Sequence, residues 1–133
     1  MLDPDRPLYD RLGGYDAVAA FVDDLLARLT RDPVLRVYWK GKCQDSMKKD
    51  RQLLVEFLCA ATGGPVHYTG RDMKTSHAGL GITDDEWNIF AQHARAVLDD
   101  LGVAEPEKTE ALSLAASFKG DIVEARAAST AAI

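Results

Sequence analysis

Three long stretches of this chain repeat apolar residues every three or four positions, and few segments alternate with the period of two that a half-buried strand requires. That spacing predicts an all-α fold, with roughly 60% of residues in helices rather than the usual third. The first stretch follows Gly13 and Gly14, which break the chain before Asp16, a residue type suited to capping a helix. Val18, Phe21, Val22, Leu25, Leu26 and Leu29 form its apolar face, with Asp23, Asp24 and Arg28 opposite, and Asp32-Pro33 ends it. The following VLRVYWKGK reads as a turn carrying Tyr38 and Trp39, two large rings that must be packed somewhere.

A second helix is expected from Ser46 to Thr62, where Leu53, Leu54, Phe57, Leu58 and Ala61 share a face and GGP at 63–65 stops the chain. It reads as the longest strongly buried segment. Thr83-Asp84-Asp85-Glu86 has the form of a capping box, in which threonine and glutamate satisfy the orphan amides of a helix start. Trp87, Phe90, Ala91, Ala94, Val97, Leu98 and Leu101 continue that helix to Gly102, a natural C-terminal stop. Pro106 can begin the last helix, with Ala111, Leu114, Ala115, Phe118 and Ile122 turned inward and the Ala-rich tail from Ala127 frayed.

The 133 residues are expected to form one domain with one core, ordered over about 7–124. A net charge of −5 argues against nucleic acid, whose phosphates need a concentrated basic surface. The small cluster of Lys48, Lys49 and Arg51 reads as a solvated helix face. The longest apolar run is far too short to cross a bilayer, and MLDPDRPLYD lacks the basic start and apolar core of a signal peptide. The expected location is therefore the cytoplasm, with Cys43 and Cys59 as free thiols.

The stretch with the most chemistry is YTGRDMKTSHAGLGIT, residues 68–83. His77 follows a single turn's worth of residues and precedes Gly79 and Gly81, which places an imidazole at the end of a short helix. A histidine held so can bind a metal through one ring nitrogen while the other donates to a backbone carbonyl. It can also do no more than interact with the carbonyls that end the helix. Met73, four residues before, and Leu80, three after, are placed to pack beside the ring.

LYDRLGG at 8–14, GGPVHYTGRDM at 63–73 and HAGLGIT at 77–83, in that order and spacing, resemble the truncated globins, and most closely their first group. The likeness runs from Leu8 to Val123. It implies a two-over-two helical sandwich, with haem b held between the Ser46 to Thr62 helix and the segment bearing His77. His77 matches the iron ligand of the family. Met73, Leu80, Ile82, Trp87 and Phe90 match positions lining the proximal side or the haem edge, and Phe57 and Leu58 match haem-facing positions on the distal helix. Trp39 matches a position usually held by a phenylalanine wedged against the ring, while Tyr68, Arg71 and Lys74 are candidates for the propionates. Each of these residues, taken singly, also fits ordinary packing or solvation. Neither cysteine belongs to a CxxCH motif, so a thioether link of that kind is not expected.

The distal side departs from the family's pattern. Where these globins commonly place a tyrosine and a glutamine that donate to bound oxygen, this chain has Leu26 and Leu54, and a third, often polar, position falls on Asp50. The link from Trp39 to the distal helix is also longer, which leaves the register at Asp50 open. Weak oxygen retention is the expected consequence, unless Tyr38 or Gln52 swings inward as a donor. His67 and His93 are read as non-ligands, and Lys49 or Met47 would reach iron only if the register slips. The resemblance thus implies a protein that reversibly binds oxygen, carbon monoxide or nitric oxide, with a reductase as a possible partner. The alternatives are a haem enzyme acting on nitric oxide or peroxide, and a haem-free helical interaction domain.

Overall fold

Glycine sets the first helix boundary. In the computed structural model, which describes residues 6–124, Gly13 and Gly14 take φ of +115° and +83°, a region that favours glycine. They separate α1 (Leu8–Leu12) from α2 (Tyr15–Arg31). A 3₁₀ turn over Leu35–Trp39 leads to α3 (Gln44–Ala61) and then the short α4 (Met73–His77). The chain continues through α5 (Asp84–Asp100), α6 (Glu105–Ala116) and α7 (Lys119–Ile122), so every element among the described residues is helical. None of these helices is long and apolar enough to cross a membrane.

Helix α2 stands at the centre because both sides of its apolar stripe are covered. Val18 and Val22 pack with Val55 and Cys59 of α3 and with Tyr9, whereas Leu25 and Leu29 pack with Leu35 of the turn and Ala94 and Val97 of α5. Val22, Val55, Cys59 and Val97 are fully buried. Arg11 ties α1 to α6 through Glu107 at 3.0 Å and Glu110 at 2.5 Å. That pairing lets Glu107 be buried without an unpaired charge.

Several boundaries differ from the sequence expectations, each for a local reason. Gly14, not Asp16, is the N-cap of α2; no side chain caps this helix, and Asp16 lies in its first turn, where its charge suits the helix dipole. Helix α3 begins two residues before Ser46 and is the longest, but α2 is the more buried. Only Val55 and Cys59 of α3 are fully covered, because its contact with α2 runs along that line and leaves Leu54, Phe57 and Leu58 half-buried. The expected last helix is split at Ser117, whose hydroxyl donates to the Leu114 carbonyl at 2.5 Å, with α7 restarting after Phe118. The Ala127 tail lies outside the described residues.

The capping box at Thr83 forms as expected. The Glu86 N–H donates to Thr83 Oγ1 at 3.1 Å and the Thr83 N–H donates to Glu86 Oε1 at 3.0 Å. Thr83→Ala is expected to lower stability by about 1 kcal/mol, read as a fall of several degrees in Tm.

Asp32 joins three elements in a way no local pattern announces. Its Oδ1 accepts the Val34 and Leu35 N–H groups at 2.8 and 3.1 Å, and its Oδ2 accepts from His93 Nε2 at 2.8 Å. The His93 bond, followed by the two amides, holds the Asp32 carboxyl below the ordinary carboxylate range. A carboxyl lowered in the folded state stabilises above its unfolded pKa, and that contribution is lost as pH falls through the folded pKa. Asp32→Asn should therefore lower the urea midpoint at pH 7, and the gap from wild type should close as the solution is taken below that folded pKa. A gap that stays constant with pH would rule out this linkage.

Candidate functional site

The path from α3 to α4 is set by close packing at two glycines. A Cβ on Gly64 would lie 2.5 Å from the Tyr9 ring, and one on Gly70 would lie 2.4 Å from the Tyr68 hydroxyl. The Tyr68 hydroxyl donates to the Arg71 carbonyl at 2.5 Å. Arg71 and Lys74 are exposed.

Helix α4 holds His77 as its last residue, half-buried. Its Nδ1 lies 2.8 Å from the Met73 carbonyl oxygen and 3.0 Å from Ser76 Oγ. A carbonyl can only accept, so Nδ1 carries the proton and Nε2 is left as the basic nitrogen. This is the orientation that a metal-ligating imidazole needs. Among the described residues no cluster of three or more His, Cys, Asp or Glu could hold a metal by protein groups alone. A single prepared imidazole fits a metal that arrives in its own macrocycle.

The side chains of α3 and α5 supply apolar surface. Phe57 meets the Tyr68 ring edge-on at 5.3 Å and the Phe118 ring at 5.0 Å. Trp87 is buried, with its ring 5.1 Å from that of Phe90. Leu26, Leu54 and Leu58 pack against the Val22 and Val55 cluster, and Trp39 packs against the Leu25 and Leu29 cluster. Met73 and Ile82 are half-buried. Leu80, in the turn between Gly79 and Gly81, is 47% exposed.

An apolar cavity of about 260 Å³ lies between α2, α3, α5 and α6. It brings together Leu54, Leu58 and Phe90 of the nominated residues and adds Phe21, Leu25, Leu112 and Phe118, with Thr62 as the one polar side chain in its wall. Leu26, Trp39, Phe57, Met73, His77, Ile82 and Trp87 lie outside that wall. The part played by Phe21 and Phe118 was not visible in the sequence, where both looked like ordinary core residues.

The polar groups nominated for the distal side are engaged elsewhere or exposed. The Tyr38 hydroxyl donates to Glu86 Oε1 at 2.6 Å, and burial together with that carboxylate pushes its pKa up to about 12. Gln52 Nε2 donates to the Tyr15 hydroxyl at 3.2 Å. Asp50 pairs with Lys42. Lys49 and His67 are exposed, and His93 is bonded to Asp32.

Residues 7–124 match the model of the family described as bacterial-like globin. The chain is 33% identical over 120 residues to a group 1 truncated hemoglobin, GlbN, of Mycolicibacterium paratuberculosis, covering 90% of this chain and 86% of the relative. It is 34% identical over 116 residues to the GlbN of Nostoc commune, covering 87% and 96%. Among solved structures, the truncated hemoglobin of Tetrahymena pyriformis in its Fe(III) form superposes with a TM-score of 0.83 at 24% identity, over 90% of this chain and all of that one. THB1 of Chlamydomonas reinhardtii gives 0.74 at 30% identity, over 92% and 100%.

Proposed function

The chain belongs to the bacterial-like globin family, among the group 1 truncated hemoglobins, and on that premise we propose that it holds haem b through His77 and reversibly binds a diatomic gas. The observation that carries the ligand assignment is the bond from His77 Nδ1 to the Met73 carbonyl, which leaves Nε2 as the basic nitrogen. Haem iron supplies the open coordination position at which such a gas is taken up. Met73, Phe57, Trp87 and Phe90 provide apolar walls, and Arg71 and Lys74 are exposed cations suited to the propionates.

Leu26, Leu54 and Leu58 make the distal side apolar, while Tyr38 and Gln52 have given their donors to other partners. Oxygen in such a pocket receives no stabilising hydrogen bond and leaves quickly; carbon monoxide, being less polar, is affected less. Reconstitution with hemin followed by an absorbance scan, then reduction with and without carbon monoxide, tests the reading. A protein that stays colourless overturns it.

Peroxide chemistry needs a distal acid to move a proton, and Asp50 is paired with Lys42 instead. Conversion of nitric oxide to nitrate needs no such acid, which makes it the enzymatic alternative, with a reductase as the electron source. Stopped-flow mixing of the oxygenated protein with nitric oxide is expected to show fast nitrate formation if this activity is present. Absence of turnover with a reductant supplied would remove it.

A further inference from the structure

The segment that leaves His77 is closed from the far end of the chain. One carboxylate oxygen of Glu124 accepts the Gly79 N–H at 2.9 Å, and the other accepts the Gly81 N–H at 2.8 Å. The Glu124 N–H in turn donates to the Ile82 carbonyl at 3.0 Å. Gly79 and Gly81 have φ of +84° and +69°, so their amides line a concavity of the kind that receives an anion, and the chain's own carboxylate fills it. These amides hold the Glu124 carboxyl below its ordinary range.

This clamp acts where the local structure is weakest. Helix α4 is five residues long, far too short to be stable alone. Within it, His77 is oriented by the Met73 carbonyl; beyond it, the chain passes directly into the turn that Glu124 holds, with the Leu80 N–H returning to the His77 carbonyl at 3.3 Å. Side-chain packing does little for this turn, since Leu80 is exposed and a Cβ added at Gly79 or Gly81 would meet nothing within 4 Å.

We infer that Glu124 is a positioning residue for His77: by pinning residues 79–82 to the end of α7, it sets the orientation in which the imidazole meets haem iron and slows loss of the group. The inference rests on the reading of His77 as the iron ligand.

The test uses the haem-loaded protein with Glu124→Gln, Glu124→Asp and Glu124→Ala, and Asp121→Asn as a charge control in α7. The glutamine has one carbonyl acceptor and turns an amide N–H₂ toward the second glycine N–H. Its ferrous iron–imidazole stretching band should shift in resonance Raman, and haem transfer to an excess of apo-globin scavenger should quicken several-fold. Alanine should do more, aspartate less, and Asp121→Asn should match wild type. If the Glu124 variants keep the wild-type band and rate, the proposal is overturned. It is equally overturned if they lower only the thermal stability of the apo-protein, because Glu124 would then be holding the chain and not the ligand. A wild type with no iron–imidazole band overturns the ligand assignment and this proposal together, whereas a wild-type band insensitive to Glu124 leaves the assignment standing.

Discussion

His77→Ala is expected to abolish the five-coordinate ferrous spectrum and to weaken haem retention by more than about a hundredfold. Removing a group that merely supports a metal ligand commonly costs 10–100-fold, and this substitution removes the ligand itself. The remaining contacts are apolar side chains, which favour a flat hydrophobic ring but give it no coordinate bond. Free imidazole added to the variant should restore much of the wild-type spectrum, because the missing part is one nitrogen donor at the end of α4. His67→Ala and His93→Ala should leave the spectrum unchanged, since His67 is exposed and His93 is bonded to Asp32. A colour and spectrum that survive His77→Ala would place the iron on another side chain.

Leu26→Tyr carries the second large effect. The side chain at position 26 is half-buried and, like Leu54, packs against the buried α2–α3 cluster. A phenolic hydroxyl placed there would hydrogen-bond bound oxygen, a gain of about 0.5–1.5 kcal/mol. Oxygen release measured by ligand replacement should slow by roughly two- to tenfold, and carbon monoxide release should change less. The larger ring also has to be accommodated, so some loss of Tm is expected, in line with the roughly 1–3 kcal/mol that overpacking costs. Leu54→Gln, closer in size, should slow oxygen release with less strain. A wild type that already holds oxygen as tightly as Leu26→Tyr would contradict the apolar-pocket reading and return attention to Tyr38 or Gln52.

The departures from the sequence expectations concern where polar groups end up. Tyr38 was a candidate donor because it neighbours Trp39, yet its hydroxyl is bonded to Glu86, which is 48 residues away. Spacing puts Leu53, Leu54, Phe57, Leu58 and Ala61 on the inward line of α3, but the covered residues are Val55 and Cys59. Helical spacing defines a stripe, and only the neighbouring helix decides which edge of it is sealed and which lines an open space.

Features that depend on adjacent residues were determined by the sequence itself. These include the all-helical fold, the central amphipathic α2, the capping box at Thr83 and Glu86, and the placement of one imidazole at the end of a glycine-terminated turn. Their causes, periodicity, capping and backbone freedom, act over one or two helical turns and leave local marks. The tertiary structure alone decided the pairing of Asp32 with His93, the partners of Tyr38 and Gln52, the apolar space joining Phe21 to Phe118, and the carboxylate of Glu124 over the turn after His77. Such pairs lie tens of residues apart, and a hydrogen bond or a cavity wall exists only once helix faces have met in a particular register.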